Sequence, residues 1–161
     1  MSQARFDMYA FIHKALRAMM SESLVAIGRL DVHDAEESVQ RLAQLRSLLA
    51  ACASHLRHEE EFVHPALEAR APGASRATAD DHVHHVEQIA ALEAAVAALE
   101  ETASAERPKN AHALYLQLAA FVADNLQHMQ VEERDNNAAL QSAYTDAELV
   151  AIHDRLVASI P

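Results

Sequence analysis

Apolar residues recur at spacings of three and four through four long stretches of the chain, and no stretch alternates apolar and polar residues as a strand would. The first stripe runs Phe6, Tyr9, Leu16, Met20, Leu24 and Ile27; the second, Leu42, Leu45, Leu49, Cys52 and Phe62. The third takes Ile89, Leu92, Val96 and Leu99, and the fourth Leu114, Leu118, Phe121 and Leu126. Breaks fall at GRLDVHD (28–34), where Asp34 and Glu37 have capping-box spacing, at APGAS (71–75) and at ERPKN (106–110). A weaker one precedes Thr145, where TDAE reads as a cap with an acidic first turn. The pattern predicts an all-α fold, an up-down-up-down four-helix bundle whose helices run about 25 to 40 residues, followed by a short C-terminal helix. One domain covers 1–161, with the bundle over about 3–140 and the last helix over about 145–159. A coiled-coil dimer is the rival, but Gly28 and Pro72-Gly73 favour chain reversal.

Composition narrows the function. With two glycines and four prolines in 161 residues, turns are few. A net charge of −11 and no basic run argue against nucleic acid as a partner. No apolar run approaches the ~20 residues of a membrane span, and the N-terminal segment lacks the unbroken apolar core of a signal peptide. The single cysteine, Cys52, excludes an intramolecular disulfide and fits a cytoplasmic location. No nucleophilic triad or phosphate loop is evident. Eleven histidines are far more than the length leads one to expect.

Those histidines change the picture once the apolar stripes are extended by 100° per residue. On the second helix, in HLRHEEEFVHPAL (55–67), the stripe continues to His55 and Glu59, four apart on one face. His58 falls on the flank and His64 half a turn away, facing out. On the fourth helix the same construction reaches His128 and Glu132. The first helix contributes His13, and the third both His82 and His85, with His84 exposed. Any one of these is an ordinary buried histidine or an i,i+4 contact. Two carboxylates converging among four or five imidazoles are not, because buried charges need partners. The set predicts a metal centre of His13, His55, Glu59, His82, His85, His128 and Glu132. Imidazole and carboxylate without thiolate suit iron or manganese, with zinc and copper as competitors, and the ligands are numerous enough for two ions. The ferritin-like pattern does not fit: its Glu-x-x-His motif is matched only by Glu61 and His64, which read as outward.

FIHKALR, HLRHEEE, DDHVHH and LQHMQVEE together resemble the hemerythrin-like, or HHE cation-binding, family across nearly the whole chain. The resemblance implies two iron ions joined by an oxo or hydroxo bridge, with manganese or zinc as substitutes. Glu59 and Glu132 would bridge them, and His13, His55, His82 and His128 would be terminal ligands. His82 and His85 are three apart where oxygen-carrying members have four; His82 ranks first and His85 is a fifth ligand or a support to one. RDNNAAL also replaces the family's usual Phe-Pro after the last motif. Both departures point away from reversible oxygen carriage. They point toward a small diatomic or peroxide ligand bound for sensing, detoxification or iron-centre maintenance. The alternatives are an iron-buffering module without turnover and a structural partner-binding bundle; no protein partner is named by the sequence. Tyr9, in phase with His13, and Tyr115, near the fourth stripe, are read as core residues or as hydrogen-bond donors to the centre.

Overall fold

A computed structural model describes residues 5–160. Among them helix α1 spans Ala10–Gly28, α2 Ala35–His58, α3 His64–Arg70, α4 Arg76–Glu101, α5 Arg107–Val131, α6 Asn137–Ala143 and α7 Asp146–Ala158. One π-helical turn, Glu59–Val63, joins α2 to α3, and another, Glu132–Asn136, joins α5 to α6, so each pair is one long interrupted rod. The neighbours are α1 with α2, α2 with α4, α4 with α5 and α5 with α1, a closed antiparallel ring of four rods. The expected bundle and short C-terminal helix are both present; the anticipated start near residue 3 lies outside the described residues.

Local chemistry sets the ends. The Asp7 carboxylate accepts from the N–H groups of Tyr9 and Ala10, both at 2.9 Å, and starts α1. Asp34 caps α2 through the Glu37 N–H at 2.9 Å, and Thr145 and Glu148 form a complete capping box on α7. Gly73 has φ of +86°, which a side chain would strain, and the Glu68 carboxylate ties that reversal down by accepting from Gly73 and Ser75. Gly28 permits a different closeness: a Cβ there would stand 3.0 Å from the Tyr115 ring. Tyr115 belongs to this end of the bundle, thirteen residues or ~20 Å of helix from His128, so it is no neighbour of the metal residues.

Two apolar clusters flank a polar belt. The larger joins Leu16, Met20, Leu45, Leu49, Leu92, Val96, Leu118 and Phe121. The smaller, at the other end, joins Met8, Tyr9, Val63, Leu67, Leu140, Leu149 and Ile152, with α7 as its lid. Two residues assigned to core stripes sit farther out: Leu126 is exposed and Phe62 is half-buried. On α5 the inward position between Phe121 and His128 is Asn125, whose amide donates to the Phe121 carbonyl at 2.9 Å. Apolar identity is a weaker guide than helical phase where the core turns polar.

Because Leu45 is fully buried in the larger cluster, Leu45→Ala is expected to destabilise the metal-free protein by about 2–5 kcal/mol in urea unfolding, while leaving its metal stoichiometry intact.

Candidate metal centre

Four rods each deliver one side chain to a single level of the bundle: His13 from α1, Glu59 at the end of α2, His82 from α4 and Glu132 at the end of α5. His55 and His128 lie one turn N-terminal of the two glutamates and complete the site. His13, His82 and Glu132 have no exposed surface, Glu59 has 2%, and His128 5%.

The atoms are arranged in two groups that share both carboxylates. His13, His55, Glu59 and Glu132 offer donor atoms within 4.8 Å of one another, and so do Glu59, His82, His128 and Glu132. Within each group the two imidazoles meet through their Nε2 atoms, His13 to His55 at 3.2 Å and His82 to His128 at 3.1 Å. Glu59 turns Oε1 toward His55 Nε2 at 3.3 Å and Oε2 toward His82 Nε2 at 3.4 Å. Glu132 turns Oε1 toward His128 Nε2 at 3.3 Å and Oε2 toward His13 Nε2 at 3.4 Å. Donors about 2.1 Å from a shared cation at right angles stand about 3.0 Å apart, close to these separations. All four carboxylate oxygens are buried without a hydrogen-bond partner among the described residues. That is costly for a carboxylate left to itself and natural for one that binds cations. The residues therefore fit a pair of ions with one carboxylate oxygen directed to each.

Carboxylates outside the centre hold the imidazoles by their other nitrogen. Glu133 faces His13 Nδ1 at 3.1 Å and is itself paired with Arg17; Asp81 faces His128 Nδ1 at 3.1 Å. A proton on Nδ1 leaves the Nε2 lone pair for a metal. Sequence reading did not identify Glu133 or assign Asp81 this part, although both adjoin a predicted ligand. Glu60, read as lying outside the ligand set, is half-exposed but reaches to 3.5 Å from His82 Nδ1. His84 is exposed, as expected.

His85 is buried and packs edge-to-face on His128, ring centroids 4.8 Å apart, but lies outside both groups of converging atoms. Two expectations about burial are corrected. His58 is buried rather than flanking, and His64 is buried rather than outward, its ring stacked on His82 at 4.8 Å. The cause for His64 is the π turn, in which its N–H bonds to the Glu59 carbonyl five residues back. Five residues then make about one turn, so His64 returns to the face of Glu59 instead of passing it by 140°. Glu61 stays exposed, so the ferritin-like motif still fails.

Electrostatics inside the belt follow from the pairing. Burial alone would push the Glu59 carboxyl up, but His55, His13 and His82 outweigh it and hold it well below the usual range. Burial and the Glu59 charge act upward on Glu132, and His128 and His82 overcome them. For His82 burial acts downward, yet Glu132 and Glu59 lift it to about 9. His85, without such partners, is lowered to about 4 by burial and by its histidine neighbours. Cys52 is buried and pushed up to about 12, unsuited to thiol chemistry.

An apolar cavity of about 510 Å³ between α1, α2 and α7 is lined by Met8, Ile12, Val63 and Leu156 and touches Tyr9, His55 and Glu59. It approaches the His13–His55 side of the centre. No helix among the described residues is long and apolar enough to cross a membrane.

The family model described as hemerythrin HHE cation binding domain matches residues 6–140. No curated protein matches the chain.

His82 holds its proton to about pH 9 in the metal-free protein, and a metal takes the same Nε2 lone pair. That proton stabilises the metal-free fold fully below the ordinary histidine value and ceases to as pH rises toward 9. Apparent metal affinity should therefore climb with pH across this window. Adding zinc to metal-free protein at pH 7.5 in weak buffer is expected to release about one proton or more per chain, read with an indicator dye. No release would contradict the assignment of His82.

Proposed function

The chain belongs to the hemerythrin HHE cation-binding family, and from that premise we propose that it is a non-haem di-iron protein that binds oxygen, nitric oxide or a related redox species. The observation that carries the reading is the division of each carboxylate, one oxygen toward His13 and His55 and the other toward His82 and His128. Two cations side by side repel, and two anionic bridges between them offset that repulsion. Imidazole and carboxylate donors without a thiolate favour iron or manganese over metals that prefer sulfur.

When bound, the iron pair would supply reversible one-electron chemistry and an attachment point for a small ligand. The chain's own residues do the remainder. Glu59 and Glu132 neutralise charge, His13, His55, His82 and His128 fill terminal positions, and Glu133 and Asp81 hold two of those rings in the tautomer that exposes Nε2. His85 backs His128 as a packing support in this reading. The apolar cavity beside His55 favours neutral diatomic molecules over hydrated ions as entrants, which supports a sensing, detoxifying or iron-maintaining role over simple iron storage. The buried, inert cysteine is compatible with a reducing cytoplasm.

Protein purified from iron-replete cells is expected to carry about two iron ions per chain. Anaerobically reduced protein exposed to oxygen or nitric oxide should develop near-ultraviolet charge-transfer bands; protein that holds iron but shows no spectral response is an iron buffer instead. Glu59→Ala and Glu132→Ala should each bring iron well below two per chain, whereas Glu60→Ala, altering a half-exposed contact to His82, should keep both ions. Equal losses at Glu59 and Glu60 would overturn the bridging assignment.

A further inference from the structure

One turn beyond the metal level, toward the smaller apolar cluster, lies a second layer of polar side chains that the ligand set does not use. In antiparallel rods, stepping back a turn on α1 and α4 matches stepping forward a turn on the π turns after α2 and α5. Tyr9, Thr78, His64 and Asn136 meet there, all buried. The two π turns create half of this layer, since an uninterrupted helix would carry His64 away from it.

The layer is only partly satisfied. Asn136 donates its amide N–H to the Thr78 hydroxyl at 3.0 Å, and Thr78 donates to the Ser75 carbonyl at 3.0 Å. The Tyr9 hydroxyl, 1% exposed as a residue, lies near the Asn136 side chain but within hydrogen-bond distance of no group among the described residues, and His64 Nε2, 7% exposed, likewise has no partner among them. Buried tyrosine hydroxyls and imidazole nitrogens seldom stay unpaired, because each forfeits about 1–3 kcal/mol of solvation. The two are placed symmetrically about the centre. The Tyr9 ring packs on His13, centroids 5.1 Å apart, in one group of converging atoms; the His64 ring stacks on His82 at 4.8 Å in the other. Both feel the charges of Glu59 and Glu132, which raise Tyr9 further above its ordinary value and partly offset the lowering of His64 by burial. Tyr9 also lines the apolar cavity that reaches His55 and Glu59, so a molecule entering there meets a residue of this layer.

We propose that Tyr9 and His64 form a hydrogen-bonding position for the outer atom of a small exogenous ligand at the centre, one that carries an acceptor lone pair, such as an anion or an oxygen- or nitrogen-terminated species. This rests on the di-iron reading above and adds to it the face of the centre on which the ligand lies and the residues that select it. Tyr9 donates its O–H, and His64 engages through Nε2. Thr78 and Asn136 brace the layer without contacting the ligand. A neutral diatomic with an acceptor lone pair, or an anion small enough to pass the cavity such as azide, gains hydrogen bonds here in a site that excludes water.

Azide serves as the probe. In oxidised, iron-loaded protein, Tyr9→Phe keeps the ring and His64→Phe keeps an aromatic ring able to stack on His82, and each removes the polar atom. Iron content should stay at the wild-type value, and each variant should weaken azide binding about tenfold. The vibrational frequency of bound azide should shift on transfer of the wild type to D2O, and that shift should shrink in each variant, a readout that packing alone would not move. Azide affinity within twofold of wild type, or a D2O-insensitive stretch in the wild type, overturns the proposal while leaving the di-iron reading intact. Loss of iron in either variant makes that residue part of the metal's support and overturns it too. A response in only one variant overturns the two-sided position. Wild-type protein that takes up no iron defeats both this inference and the reading beneath it.

Discussion

Two carboxylates, Glu59 and Glu132, are buried between two apolar clusters with four imidazoles turned toward them, and the rest of the molecule is organised around that expense. Desolvating two negative charges side by side is unfavourable by both burial and mutual repulsion. Only positive charge can balance it, from protons shared with His82 and His128 or from cations. The belt is therefore a place where protons and metals compete for the same lone pairs, and its neutrality depends on one or the other being present. The larger apolar cluster supplies the rigidity that keeps four rods in register around it, and α7 closes the other end with the smaller cluster.

The rods are not uniform helices. Each one that carries a buried central glutamate breaks into a π turn at that residue, with His64 N–H on the Glu59 carbonyl and Asn137 N–H on the Glu132 carbonyl. The extra residue resets the phase, so that a second polar residue follows onto the face of the glutamate. A π turn is less favourable than continued α-helix and persists where surrounding packing fixes it. Here Val63, the last residue of the first turn, and Leu140, just past the second, are locked in the smaller cluster and provide that hold.

Much of this was legible from residue spacing. The all-α bundle, its breaks, and the inward faces of His13, His55, Glu59, His82, His128 and Glu132 follow from a 100° step applied to apolar stripes, because up to Glu59 and Glu132 the rods obey it. The step fails just beyond them. His64 was assigned to the outside by correct arithmetic on the wrong helix geometry, since nothing in EEEFV announces an i→i+5 turn. Glu133 and Asp81 were missed for another reason. Their function depends on which nitrogen of a histidine on a different rod they reach, and spacing along one helix carries no information about that. Leu126 misled in the opposite sense, as an apolar residue that happens to lie near a stripe.

The two halves of the belt are alike in ligands and unlike in surroundings. On one side Glu133 reaches His13 while being paired with Arg17, so part of its charge is spent outside the belt. On the other, Asp81 faces His128 and is largely exposed, and Glu60 stands by His82 without an arginine. Carboxylates that are not shared draw the Nδ1 proton more strongly and make Nε2 a better donor. A cation beside His82 and His128 would meet imidazoles lifted above their ordinary value against the effect of burial, chiefly by Glu132, and one beside His55 an imidazole that burial lowers. The same second position is the one the apolar cavity approaches, through His55, whose side chain is 12% exposed where those of His13 and His82 have none. Access and a lowered imidazole coincide on one side, burial and raised imidazoles on the other. In the di-iron reading, that difference would suit the position beside His55 to exchanging a ligand and the position beside His82 and His128 to holding an ion firmly.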